Sequence, residues 1–345
     1  MSERSVMDHP LAQLTLVRFR EFLREPEALF WVFIFPILLA AGLGIAFRNR
    51  PAEVLRVVTP SAELARALRP EKGLDVRQLP AAEADEQLRS GKAALDVAAA
   101  PPGVTYRFDD TNPDGRTARM LADAAIQRSA GRADPVRSSA SLVREPGSRY
   151  IDFLVPGLLG MNLMGSAIWG MGFAIVDARR KKLMKRLVAT PMPRRYYLMS
   201  FAFSRLALLV LEVGVVLGFG ALAFGVPVRG SLVVLAGMCV LGSLSFCALG
   251  LLIASRARTI EAASGLMNAA MMPMWVLSGV FFSAQRFPDA VQPLIRALPL
   301  TAAIDALRAI MLQGAGLAQV APQAGVLAVW LAGCFALALK LFRWK

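Results

Sequence analysis

The sequence predicts an α-helical integral membrane protein: six transmembrane helices, with a small α/β domain inserted after the first. Three observations carry that reading. Of 345 residues, 56% are hydrophobic, and a mean hydropathy of +0.50 is too apolar for an ordinary soluble chain of this length. Apolar runs of spanning length recur along the chain. Between two of them lies a short cationic stretch, residues 177–197, reading DARRKKLMKRLVATPMPRRYY. A charge block pinned between two spans must lie on one membrane face.

Each element follows in order. Residues 1–27 mix Leu11, Leu14, Leu16, Val17 and Phe19 with Arg18, Arg20 and Arg24, the pattern of a helix lying on the cytoplasmic surface of a membrane. They do not read as a cleavable signal peptide, because Arg48, Asn49 and Arg50, not a small-residue cleavage site, follow the apolar run. Residues 28–47 make the first span, with Pro36 as a kink. Residues 48–149 are of another kind: basic and acidic residues nearly balance and no run is long enough to span. Strands are expected at 54–58, 74–78, 95–98 and 104–108, and helices at 61–68, 81–90 and 117–129. The third helix has room to begin earlier, with Asn112 as cap and Pro113 in its first turn. This α/β domain, ending in the polar linker 130–149, belongs on the far side of the membrane. The remaining spans fall at 150–176, 198–224, 231–254, 260–282 and 323–342. Between the last two, Pro288, Pro293 and Pro299 interrupt residues 283–322, which read as short helices at the outer surface, the second at 301–312.

The cationic stretch carries Arg179, Arg180, Lys181, Lys182, Lys185, Arg186, Arg194 and Arg195, with Asp177 as its only acid. Leu183, Leu187 and Val188 fall at helical spacing among them, and Pro191 with Pro193 then stop the helix. An amphipathic helix of this kind can dock a protein, grip anionic lipid or fix topology. The excess of Lys and Arg puts it in the cytoplasm. Arg4, Arg18, Arg20, Arg24, Arg256, Arg258, Lys340, Arg343 and Lys345 fall on the same side, against only Arg229, Arg286, Arg296 and Arg308 in the short outer segments. Both termini are therefore expected in the cytoplasm.

A formal charge of +14 invites a nucleic-acid reading, but the cations sit between apolar spans, where orientation accounts for them. Cys239, Cys247 and Cys334 lie in apolar runs and read as small core residues, and His9 stands alone, so no metal or cofactor is expected. Glu212 sits well inside the third span, where a carboxylate is costly unless paired or wet. Arg205 lies on about the same face but two turns away, too far for an i,i+4 pair. A structural hydrogen bond, a place on a substrate route and a misplaced span boundary are the three readings of Glu212. Asn162, Ser166 and Asn268 read as interhelix hydrogen bonds or as polar points on that route. Gly157, Gly160 and Gly165 permit close helix approach, and Met267, Met271, Met272 and Met274 supply adaptable packing.

Two segments carry a family resemblance. Residues 154–198 read LVPGLLGMNLMGSAIWGMGFAIVDARRKKLMKRLVATPMPRRYYL, and residues 277–314 read LSGVFFSAQRFPDAVQPLIRALPLTAAIDALRAIMLQG. Together they resemble the type-2 ABC exporter permeases with a large extracytoplasmic domain between their first two spans. The run LVATP at 187–191 sits where members have a leucine-to-threonine-proline ending, and Asp177 matches the acid that often opens this loop. A Gly-Thr pair of the family is replaced here by Lys182 and Leu183, and Ser283 stands where a proline usually follows the Leu-Ser-Gly-Val-Phe-Phe element. The resemblance implies a cytoplasmic coupling helix seated in an ATPase groove, with Asp177, Arg179, Arg180, Lys181, Lys182, Lys185, Arg186, Leu187, Thr190 and Pro191 as coupling residues. It further implies two ABC ATPase subunits, a second permease chain (identical or not), contact with membrane lipid, an inner-membrane location, and outward movement of a drug, natural product or lipid-like substrate. The chain has no Gly-x-x-x-x-Gly-Lys-Ser/Thr run, hence no phosphate cradle of its own and no expected enzyme activity. The alternative is a membrane sensor or assembly scaffold whose outer domain binds a ligand.

Overall fold

Residues 10–48, 54–100, 103–110, 112–132, 149–181, 194–257 and 259–341 are described by the structure, a computed structural model. The chain divides into two compact units, Met1–Arg48 with Val143–Lys345, and Asn49–Leu142.

In the larger unit, α1 (Pro10–Leu23) is followed by α2 (Pro26–Leu29), one wide π turn (Phe30–Ile34) and α3 (Phe35–Arg48). The irregular turn has a cause in the sequence. Pro36 has no N–H to offer the Val32 carbonyl four residues back. That carbonyl is not left bare, because Asn162 Nδ2 donates to it at 3.1 Å. The other long helices are α7 (Tyr150–Arg180), α8 (Arg194–Phe224), α9 (Leu232–Arg256), α10 (Ile260–Leu277) and α13 (Ala321–Leu341), with the shorter α11 (Gln292–Ala297) and α12 (Pro299–Gln313) before the last.

Among the described residues, five stretches are long and apolar enough to cross a membrane: Pro26–Ala46, Tyr150–Asp177, Phe203–Phe224, Leu232–Arg256 and Ala321–Leu341. The span predicted at 260–282 is not among them. Its helix, α10, has 18 residues and includes Glu261, Asn268 and Pro273.

The core centres on α7. Leu154, Leu158, Leu159, Leu163, Met164 and Ile168 are buried on it, and the neighbouring helices approach it where side chains are smallest. A Cβ on Gly160 would stand 2.6 Å from Ile304 Cγ1, and one on Gly157 2.6 Å from the Val280 carbonyl oxygen. A Cβ on Gly250 of α9 would meet the Ile168 oxygen at 2.8 Å, so these two helices touch backbone to backbone. Gly165 faces Met271 Cε at an ordinary 3.8 Å, and no close approach rests on it.

In the smaller unit the strands β1 (Leu55–Thr59), β2 (Leu74–Gln78), β3 (Leu95–Ala100) and β4 (Gly103–Arg107) form one sheet in the order β2-β1-β3-β4. β1 runs parallel to β2 and β3, while β4 returns antiparallel to β3. The helices α4 (Ala62–Leu68) and α6 (Pro113–Ser129) cover one face through Leu64, Leu68, Ala118, Ala122 and Ala125, packed on Leu55, Val57, Leu95 and Val97. α5 (Ala81–Arg89) buries Ala84 with Val58 and Ala93. Side-chain caps set the helix starts: Ser61 Oγ accepts the Leu64 N–H and Asn112 Oδ1 accepts the Asp114 N–H at 3.0 Å. α6 thus begins at Pro113, four residues ahead of Thr117. Beside the sheet, Arg107 pairs with Asp85 and Asp96. Its hydrogen bond holds Asp85 below the usual carboxylate range, whereas burial raises Asp96.

Two substitutions test the α7–α9 contact. Gly250→Ala puts a methyl into the Ile168 backbone and is expected to lower stability by about 1–3 kcal/mol, read as a fall in thermal midpoint in detergent. Gly170→Ala, where nothing stands within 4 Å of an added Cβ, is expected to leave the midpoint unchanged or raise it.

Candidate functional site

Three groups of polar residues meet α7, near its C-terminal end, at its middle and near its N-terminal end. The first four members of the expected coupling set lie at the end that enters the cationic stretch. Asp177 Oδ2 meets Lys181 Nζ at 2.8 Å one turn on, an exposed i,i+4 pair of the kind that adds little to stability. That bond raises the Lys181 pKa. Arg180 is exposed. Arg179, its neighbour, turns into the protein and its Nη1 donates to the Ala254 carbonyl of α9 at 2.9 Å; burial lowers its pKa. Beyond the stretch, Arg18 Nε of α1 donates to Ser200 Oγ of α8 at 3.1 Å. Lys182, Lys185, Arg186, Leu187, Thr190 and Pro191, with the amphipathic helix expected there, lie outside the described residues.

The second group lies within the spanning helices. Glu212 is fully buried on α8, and Arg205 reaches it: Nη1 stands 2.9 Å from Oε1 and Nη2 3.2 Å from Oε2. The expectation that two turns were too far for a direct pair is therefore corrected. Residues seven apart return to nearly the same face, the Glu212 side chain leans toward the helix N-terminus, and arginine has the length to cover the remaining gap. Two serines from neighbouring helices complete the group. Ser166 Oγ of α7 donates to Glu212 Oε2 at 2.8 Å and accepts from Arg205 Nη2 at 2.9 Å, while Arg205 Nε donates to Ser243 Oγ of α9 at 3.0 Å. One ion pair thus ties three helices together, with both carboxylate oxygens and all three guanidinium nitrogens engaged. Asn162 bonds the first span at Val32, as described above. Asn268 is exposed on α10 and does not join this group.

Sequence reasoning gave the third group, near the N-terminal end of α7, no role. Arg308 of α12 donates through Nε and Nη2 to the Phe153 carbonyl of α7 at 3.2 and 3.1 Å, and through Nη2 to the Gly279 carbonyl at 2.6 Å. Its guanidinium carbon lies 3.5 Å from the centre of the Phe153 ring. Burial pulls its pKa down to about 10, opposed by Asp305 and Tyr150, so it stays charged at neutral pH. Tyr150 adds an O–H bond to the Phe281 carbonyl at 2.9 Å. Gly279 takes φ +75°, a conformation that a β-carbon disfavours, and this presents its carbonyl to Arg308. The available signal was an arginine in an otherwise largely apolar stretch; its approach to Gly157, where a Cβ would sit 3.2 Å from Arg308 Nη2, is visible only in three dimensions.

Long apolar helices carrying paired charges, with a cationic stretch of sequence between two of them, define a multi-pass membrane protein. The chain belongs to the ABC-2 family of transporter proteins, whose profile matches residues 26–340. It is 28% identical over 187 residues to the ABC transporter G family member 20 of Dictyostelium discoideum, covering 53% of this chain and 25% of that one. To the putative transport permease YvfS of Bacillus subtilis it is 29% identical over 139 residues, 40% of this chain and 56% of the relative. To the probable multidrug ABC transporter permease YbhS of Escherichia coli it is 27% identical over 165 residues, 47% and 43% of the two chains. The chain thus spans between a quarter and just over half of the length of these relatives.

Removing one partner of the buried pair leaves the other charge uncompensated. Glu212→Ala or Arg205→Ala is expected to cost about 3–5 kcal/mol, and the double change to leucine to recover much of that loss. Thermal unfolding of the three purified variants in detergent checks both statements.

Proposed function

We propose that the chain is the membrane-spanning permease subunit of an ATP-driven exporter. It takes its energy from a separate ABC ATPase, two copies per transporter, docked against the cationic stretch between α7 and α8. The observation that carries this reading is the placement of that stretch between two membrane-length helices in a member of the ABC-2 family. The relatives named above are described as transporters and permeases, and the chain has no phosphate-binding loop of its own, so the hydrolytic step belongs to its partner. α10 serves as a sixth crossing: 18 residues rise about 27 Å, close to the thickness of a hydrocarbon core, and Met267 and Met271 hold it in the bundle. Six crossings place both termini in the cytoplasm of an inner-membrane protein and the α/β unit outside.

Asn268 stands on a face of α10 that no described element of this chain covers, together with Ala262, Gly265 and Ala269. An amide facing hydrocarbon is costly, so this face meets a second permease chain, with the route between the two. The substrate is small or amphipathic and moves outward. Glu212, with every polar atom engaged, acts as a strut that joins α7, α8 and α9 and does not contact the substrate.

The test is a purified complex with the cognate ATPase. Changing Lys181, Lys185 and Arg186 together to glutamate is expected to reduce permease-stimulated hydrolysis about tenfold or more, as reversing charge at a docking contact does. Full stimulated hydrolysis in the triple variant would contradict docking at this stretch.

A further inference from the structure

Arg179 and Arg180 are consecutive cations at the inner end of α7, yet only one of them faces outward. Consecutive helical residues point about 100° apart. Arg180 is exposed, and Arg179 reaches across to α9. Its acceptor has a particular status. α9 ends at Arg256, and the last four carbonyls of a helix have no N–H of their own helix to accept. The Ile253 carbonyl receives the Ala257 N–H at 3.2 Å, and Arg179 supplies the donor for the next one, Ala254, on a fully buried residue. The guanidinium therefore caps α9 at the negative end of its dipole.

This cap extends a contact that is already rigid. α7 and α9 meet at Gly250 and Ile168 with no space for a methyl between their backbones. Arg179 lies about three turns further along α7 and holds the two helices together where they leave the bundle. Past the cationic stretch the chain is fastened elsewhere, with Ser200 of α8 held by Arg18 of α1.

We propose that Arg179 is a positioning residue that locks the inner ends of α7 and α9 into one body. Force applied to the loop then moves both helices together, and Arg179 is no part of the surface an ATPase grips. The transmission half rests on the permease reading; the lock does not.

The experiment uses the full chain in lipid nanodiscs, with and without its cognate ABC ATPase, and compares R179A, R179K and R180E. Amide exchange in the last turn of α9 is expected to quicken about fivefold in R179A, the effect of losing a helix cap, with exchange in α13 and in β1 unchanged. R179K, which keeps a charged donor, should recover most of the protection. ATPase capture by R179A should stay within about twofold of the native chain while stimulated hydrolysis falls about fivefold. R180E should lose capture about tenfold, as a rim charge reversal does, and keep normal exchange in α9. R179A losing capture as far as R180E would overturn the assignment, as would unchanged exchange or unchanged stimulated hydrolysis. A native chain that captures no ATPase, while R179A still loosens α9, would confirm the lock and overturn the permease reading.

Discussion

A hydrocarbon solvent offers no partner to a backbone carbonyl or a charge, so each polar group must find one inside the protein. In this chain that constraint falls on α7. Of the hydrophobic window of this helix, 83% is buried within the chain, against 22% for the first apolar stretch, 22% for the third and 17% for the last. A helix enclosed on nearly every side accepts neighbours only where they fit, hence backbone contact at Gly157 and Gly250 and polar bonds at three levels. Asn162 satisfies the carbonyl that Pro36 leaves open, Ser166 completes the Arg205–Glu212 pair, and the Phe153 carbonyl receives Arg308. Packing and polar satisfaction are here a single requirement.

The same constraint gives the helix its mechanical character. A rod fixed to α9 at Gly250 and by Arg179, and to α12 by Arg308, cannot slide past either neighbour without breaking half-buried hydrogen bonds. On the proposed reading, displacement at the C-terminal end of α7 travels as rigid-body movement, one of the ways in which small local shifts become large ones. α1 is joined to α8 by the Arg18–Ser200 hydrogen bond, and α8 to α7 and α9 by the Arg205–Glu212 pair and its serines.

Much of the smaller unit was legible in the sequence because its signals are local. Short apolar runs set between polar turns, Asn112 as a cap, and Pro113 at a first turn each specify their element without help from distant residues. In the larger unit the apolar stretches at 28–47, 150–176, 198–224, 231–254 and 323–342 were legible from composition. What escaped reading depends on three dimensions. The Arg205–Glu212 pair was missed because the i,i+4 rule describes adjacent turns and ignores the reach of arginine. The partners of Arg308 are backbone carbonyls at Phe153 and Gly279, which no residue code records. Arg179 and Arg180 look alike in sequence and differ only by rotation about the helix axis, which decides that one caps a helix while the other faces outward.

The central claim, that this chain provides a membrane passage with a cationic handle on the side where ATP is found, is tested most directly by the sidedness of that handle. Cys239, Cys247 and Cys334 are buried, so an Arg180→Cys variant gives a labelling signal over a quiet background. A membrane-impermeant maleimide is predicted to leave this cysteine unmodified in intact cells and to label it once the cytoplasmic face is opened. Labelling from outside the intact cell would contradict the account.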